Sequence, residues 1–190
     1  MNTLAIDVGG TNFKVAVFEG DRMVRREARA TDRDGGPRWM LERILESARS
    51  WRREFPLDRC GIGFGGPVIF PAQQVVLSTH VGGWQGFDLA GSIRGELALP
   101  VLMDNDANVG ALGEAVHGAG KGLRPVFYMT VSTGIGGGII IGGEIFAGGL
   151  GAGAELGHIT IDLDGPPCAC GNRGCLEAMA SATAVVRMAT

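Results

Sequence analysis

The 190-residue chain has no run approaching the roughly 20 consecutive apolar residues of a membrane span, so no spanning helix and no membrane partner are expected. Its opening, Met1 to Asp7, has no basic segment and meets a carboxylate before an apolar stretch can form; a signal peptide is not expected, and a cytoplasmic location is. There is no surplus of positive charge. Lys and Arg number 17 against 20 Asp and Glu, for a net charge of −3, which argues against a dedicated nucleic-acid surface. Charge is sparse at 19% while hydrophobic residues reach 45%, the reverse of a disordered composition. Cysteines are too few and too crowded for a disulfide framework: three of the four (Cys168, Cys170, Cys175) fall near the end of the chain, which suits a metal clip in a reducing compartment.

Glycine is what the chain has in excess, 33 residues, more than twice the usual share of about 7%. The length allows one large domain or two small ones, and a chain of this size buries roughly 70% of its unfolded surface without staples. Leu4–Val8 reads as a strand, Gly9-Gly10 as a turn and Phe13–Phe18 as a second strand with period-2 alternation. Met23–Ala28 is a third strand, Arg38–Phe55 a helix ended by Pro56, and Cys60–Phe64 a short apolar strand running into Gly65-Gly66-Pro67. Phe87–Leu97 suits a helix, Val101–Asp104 a buried strand and Ala107–His117 another helix. The opening pattern then recurs: strand Val126–Val131, a glycine-rich turn Ser132–Gly138 and strand Ile139–Ile141. Two such units suggest two related halves, yet less chain follows Ser132 than separates the two turns, so the second half is expected to be incomplete.

Asp7-Val8-Gly9-Gly10-Thr11-Asn12-Phe13-Lys14 is the first candidate for chemistry. Glycines at a hairpin tip leave backbone amides to meet an anion and let phosphate oxygens come close. Thr11 adds a hydroxyl and Lys14 a positive charge, while Asp7 can hold hydrated Mg²⁺ beside the phosphates. Strand rather than helix follows the glycines, so this is neither a Walker loop nor a dinucleotide fingerprint. A plain tight hairpin is the alternative. The second loop, with Ser132, Thr133, Gly134, Gly136 and Gly137, weighs against it, because two glycine hairpins suit a phosphate clamp.

Val101 to Asn108 delivers Asp104 and Asp106 to the start of a helix. Phosphoryl transfer to an alcohol uses a carboxylate that accepts the hydroxyl proton. A helix N-terminus stabilises ionised Asp106, so such a role rests on position and late proton transfer rather than on raised basicity. A simple helix cap is the alternative reading of Asp106. Further on, His158 with Cys168, Cys170 and Cys175 offers one imidazole and three thiolates, a set suited to tetrahedral Zn²⁺, against the alternative of three loose cysteines. His80 and His117 have no ligand-like neighbours, and Cys60 reads as packing.

Together, Asp7-x-Gly9-Gly10-Thr11-x-x-Lys14, Ser132-Thr133-Gly134-x-Gly136-Gly137-Gly138, Asn105-Asp106-Ala107-Asn108 with Gly113-Glu114, and His158-x₉-Cys168-x-Cys170-Gly171-x₂-Gly174-Cys175-Leu176-Glu177 resemble the sugar kinases of the ROK family. The resemblance runs from Asp7 to about Ser181. It implies an α/β chain of the actin/hexokinase-like ATPase (ribonuclease H-like) fold, with a small domain over 1–117 and an incomplete larger domain over 118–190. It implies an ATP-dependent hexose kinase, glucokinase first among them, with Mg²⁺ accompanying ATP and structural Zn²⁺. Asp106 becomes the general base, and Asn105 a sugar contact. The first hairpin (Asp7, Gly9, Gly10, Thr11, Lys14) and the second (Ser132, Thr133, Gly134, Gly136, Gly137) take the phosphates. Glu155, His158 and Glu177 become sugar ligands, with Asp104 a supporting carboxylate. Gly65-Gly66 stands where the family has Pro-Gly, and Gly66 is the sugar contact implied there.

A homodimer through the larger domain is a further implication. The family also contains sugar-sensing repressors, which carry a helix-turn-helix before the kinase-like part; here the first strand begins at once. A sugar-binding regulator or an inactive fragment without the adenosine wall is therefore the competing expectation. A truncated chain accounts for the early stop better than a minimal kinase does.

Overall fold

The computed structural model describes residues 1–78, 81–149 and 153–189. His80, expected to be an ordinary histidine, lies outside them. Strand β1 (Asn2–Val8) buries Leu4, Ile6 and Val8, and β2 (Asn12–Glu19) matches it with Phe13, Val15 and Val17. That period-2 burial is the pattern of a half-buried sheet, and the strands pair antiparallel with Asp7 opposite Lys14. β3 (Arg22–Ala30) adds an arginine-rich edge, a composition that discourages stray pairing. β4 (Arg59–Phe64) joins β1 in parallel, and a small hairpin follows, β5 (Val68–Ile69) with β6 (Gln74–Val75). β7 (Val101–Asn105) closes a sheet of order β3-β2-β1-β4-β7.

Two helices cover this sheet's apolar side. α1 (Gly36–Trp51) carries Pro37 in its first turn, where no amide bond is lost, and buries Met40, Ile44, Ala48 and Trp51 along one stripe. Its expected end at Phe55 comes earlier, at Trp51; the residues beyond close a turn in which Phe55 N–H donates to the Trp51 carbonyl at 2.8 Å, and Pro56 disfavours helical conformation at Phe55. α2 (Leu89–Leu97) begins two residues later than expected because Asp88 caps it, accepting a bond from Gly91 N–H at 2.8 Å. Leu4, Ile6, Phe64, Trp84, Ile93 and Met103 are among the residues of the resulting core.

The chain forms two compact units, Met1–Asp106 and Ala107–Thr190. The join expected near His117 therefore lies at the other end of α3 (Asp106–Val116). The helix goes with the second unit because Ala107 and Ala111 press on glycines of that unit's sheet. This sheet has the order β10-β9-β8, from β8 (Val126–Val131), β9 (Ile135–Ile141) and β10 (Glu144–Ile145). The glycine run expected as a turn is mostly strand: Gly136, Gly137 and Gly138 lie opposite Thr130, Met129 and Tyr128. A Cβ at Gly138 would stand 2.7 Å from the Ala107 carbonyl oxygen, so these glycines let α3 lie flat on the strand. Two short helices, α4 (Leu176–Ala180) and α5 (Ala182–Ala189), complete the unit. No described helix is long and apolar enough to cross a membrane.

Candidate active site and metal centre

Parallel pairing puts Val8, Phe64 and Asn105 in register, so β1, β4 and β7 end at one edge of the sheet. Ligands of α/β sheets bind outside the carboxyl ends of parallel strands. Three expected elements meet there: the Asp7–Lys14 hairpin, Gly65-Gly66 and Asn105-Asp106. Gly65 N–H donates to the Val8 carbonyl at 2.8 Å, and Asn105 Nδ2 donates to the Gly66 carbonyl at 3.1 Å. A Cβ on Gly65 would stand 3.6 Å from Asp106 Oδ2. Asp106 is exposed and Asn105 half-buried, so a solute can reach both from this edge.

One residue that positions this edge carries no signal in the sequence. Gln73, in the left-handed region at φ 55, reaches the edge strand β7. Its Nε2 donates to the Met103 carbonyl at 3.2 Å, and its Oε1 accepts from Met103 N–H at 2.6 Å. The carboxamide thus pairs with β7 as another strand would, three residues before Asp106. Asp104 Oδ1 accepts from Asn105 N–H at 2.7 Å.

In the first hairpin Lys14 Nζ meets Asp7 Oδ2 at 2.6 Å, so the cation and the carboxylate expected to share a phosphate and its metal are already in contact. The tip is tied back through its carbonyls. Thr31 Oγ1 donates to Gly9 O at 2.8 Å, Arg33 Nε to Gly10 O at 3.2 Å, and Thr31 N–H to Thr11 O at 2.9 Å. A trans peptide points its N–H opposite to its C=O. Holding these carbonyls against the chain that follows β3 therefore aims the amides of Gly10, Thr11 and Asn12 the other way. Thr31 and Arg33 also went unread in the sequence.

The second hairpin is held in the same manner by other elements. Ala182 N–H donates to Ser132 O at 2.9 Å, Thr183 Oγ1 to Thr133 O at 2.8 Å, and Ser132 N–H to Gly134 O at 2.8 Å. The amides of Thr133 and Gly134 then face away from α5. The amide of Ile135 is taken: Glu177 Oε2 accepts from it at 2.9 Å. Glu177, expected among the sugar's hydroxyl acceptors, thus has one oxygen on the hairpin. The same carboxylate fills the space where a Cβ on Gly134 would go, and Leu156 does so at Gly137. Ser132 and Thr133 are exposed; Gly136 and Gly137 lie within β9.

His158, Cys168, Cys170 and Cys175 come together as expected, their candidate ligand atoms all within 4.8 Å of one another. Cys168 Sγ lies 3.6 Å from His158 Nδ1, and Cys170 Sγ 3.6 Å from Cys175 Sγ. Ligand atoms around tetrahedral zinc, at about 2.3 Å for sulfur and 2.0 Å for nitrogen, stand roughly 3.5–3.8 Å apart, so the set fits that ion. Burial, then the neighbouring Cys170 and Cys168 thiols, push the Cys175 thiol up to about 11, whereas a backbone bond from Asn172, ahead of the other thiols, holds Cys170 below the usual thiol range. A dication in the cluster favours thiolate at all three. Gly174 takes the left-handed turn at φ 59 that brings the chain back to Cys175. His158 Nε2 points toward Glu155 Oε2 at 4.0 Å, a gap in which a single hydroxyl can touch both. Cys60, by contrast, is an inert core thiol, pushed up to about 12 by burial.

The model of the ROK family matches residues 3–190. The chain is 38% identical over 193 aligned residues to a glucokinase from Halalkalibacterium halodurans, covering 98% of this chain and 58% of that protein. It is 42% identical over 132 residues to the xylose repressor of Bacillus subtilis, covering 70% of this chain and 34% of the repressor. Among solved structures it superposes, with a TM-score of 0.87 and 34% identity, on a ROK family glucokinase from Streptomyces griseus solved in complex with glucose and AMPPNP; 98% of this chain and 59% of that one are covered. The chain thus spans less than two thirds of these relatives. Its fold is that of the actin/hexokinase-like ATPases.

Proposed function

The chain belongs to the ROK family, and from that premise we propose that it serves phosphoryl transfer from ATP, with Mg²⁺, to a hexose hydroxyl, the 6-hydroxyl of glucose first among the candidates. The observation that carries this reading is the shared edge of β1, β4 and β7, where a glycine hairpin and an exposed carboxylate at a helix start meet. In the proposed step the sugar oxygen bonds to the γ-phosphorus, the bond from that phosphorus to the β–γ bridging oxygen breaks, and ADP leaves. Asp106 accepts the hydroxyl proton late in the transfer. Asn105 and Gly66 orient the sugar beside it.

The amides of the first hairpin tip, with Lys14, offer donors and charge for phosphate oxygens, and Asp7 can hold hydrated Mg²⁺ once phosphate draws Lys14 away. Ser132, Thr133 and Gly134 are the phosphate contacts of the second hairpin; Gly136 and Gly137 shape it from within β9. Glu155 and His158 receive a pair of sugar hydroxyls, and Glu177 has Oε1 for another. His158, Cys168, Cys170 and Cys175 would hold Zn²⁺, whose contribution when bound is to fix the segment that carries Glu155 and His158.

A second reading, a sugar-binding regulator, draws support from the xylose repressor's 42% identity over 132 residues. The two readings part in one experiment. Incubated with ATP, Mg²⁺ and glucose, the chain should form ADP and glucose 6-phosphate. Asp106→Asn should cut that rate by roughly 10²–10⁴ while glucose affinity stays nearly constant. Glucose binding without any transfer would favour the regulator or an inactive fragment over the kinase, and full transfer by the variant would remove Asp106 from its role.

A further inference from the structure

We propose that the metal clip fastens the second glycine hairpin, with Glu177 as the positioning residue that carries the effect. This rests on the zinc reading above but not on phosphoryl transfer. Glu177 follows Cys175 by two positions, within the first turn of α4, for which Cys175 is the residue preceding the helix. Cys175 is fully buried, and its neighbour Leu176 N–H donates to the Ile159 carbonyl at 3.0 Å. Where Cys175 is held, α4 is held; where α4 is held, the Glu177 carboxylate sits on the Ile135 amide.

The same short stretch reaches the hairpin twice more, through Ala182 N–H to Ser132 O and Thr183 Oγ1 to Thr133 O. Serial bonds to 132, 133 and 135 define how the tip presents its remaining amides. Burial on these two helices is slight: α4 buries Ala178, with Leu176 and Met179 half-buried, and α5 buries Ala184 while Val185, Val186 and Met188 are exposed. The unit's apolar cluster is built on Ala111, Val126 and Ile140, which come from α3 and the sheet. A metal joining Cys175 to Cys168, Cys170 and His158 supplies the anchor that the side chains of α4 and α5 do not. Gly134 belongs to the same device, since any side chain there would expel the Glu177 carboxylate.

The test is amide hydrogen exchange on the whole chain loaded with zinc, on the chain after chelation, and on zinc-loaded Glu177→Ala and Glu177→Gln. The Ile135 amide should exchange at least about tenfold faster after chelation and in Glu177→Ala, as loss of a bond to a charged acceptor implies. The strand amides of residues 139–141 should keep their protection in all samples. Glu177→Gln retains an acceptor oxygen and should restore most of the slow exchange. The relay is overturned if Ile135 is unmoved by chelation or by Glu177→Ala, if Glu177→Gln is as fast as Glu177→Ala, or if residues 139–141 open equally. A chain that takes up no zinc defeats the metal reading itself; a chain that binds zinc with Ile135 unmoved defeats the relay alone.

Discussion

The two glycine hairpins present their amides by one device and hold it in place by different means. In each, the tip carbonyls are bonded to a segment that comes later in the chain, so the intervening N–H groups face outward. For the Asp7–Lys14 hairpin that segment is Thr31 and Arg33, directly after a neighbouring strand of a sheet with a large apolar core. For the Ser132–Gly134 tip it is Ala182 and Thr183 of α5, while Glu177 of α4 accepts from the next amide, Ile135; both helices bury little and follow the cysteine cluster. A motif that looks repeated in sequence thus draws on hydrophobic packing in one unit and on side-chain bonds, with the proposed metal clip behind them, in the other. The two hairpins should therefore fail under different perturbations.

Metal removal should separate them most sharply. Chelation of the zinc-loaded chain should lower the melting midpoint of the second unit, whose sheet stays formed at lower temperature, and leave that of the first in place. The chain reports on the two units separately: Trp39, Trp51 and Trp84 lie in the first, and the single tyrosine, Tyr128, in the second. Tryptophan fluorescence and tyrosine near-UV dichroism, followed together, should give transitions that diverge on chelation; coincident loss of both would break the comparison. Next in size, Gly138→Val drives a side chain into Ala107 and Ala111 and should cost the second unit about 1–3 kcal/mol, or more if α3 lifts off, with the tryptophan transition unmoved.

On the other side, Thr31→Val removes the hydroxyl that holds Gly9 O and should cost the first unit about 1 kcal/mol by denaturant titration, with no effect on zinc content. The smallest stability effect belongs to Lys14→Met. The Lys14–Asp7 pair is nearly half exposed on both sides, so its loss should change the first unit by less than about 1 kcal/mol, and by less still in high salt. Nucleotide affinity, measured by calorimetry, should fall far more than stability does. Equal losses in both would make Lys14 a structural residue.

How much of this was legible in the sequence depended on whether side chains carried the information. Alternation of Leu4, Ile6 and Val8 with Phe13, Val15 and Val17 announced the first hairpin, and the crowding of three cysteines, with His158 as a fourth ligand type, pointed to the cluster. The glycines of β9 carry no side chain and hence no period, so a strand read as a turn. Thr31, Arg33, Ala182 and Thr183 act on carbonyls far away in sequence, through bonds that any residue's backbone can accept. Gln73 likewise recognises β7 by its peptide groups rather than by any side chain of Met103. The Glu177 carboxylate was read as a ligand group, but which donor it meets depends on where α4 comes to lie.

The central claim, that both hairpins are phosphate sites, is tested most directly by amide exchange of the zinc-loaded chain with and without Mg²⁺ and AMPPNP. Slower exchange at Gly10 and Thr11 and also at Thr133 and Gly134, with the helix amides of α1 unchanged, is the result expected. Nucleotide bound with no protection at either tip would contradict it.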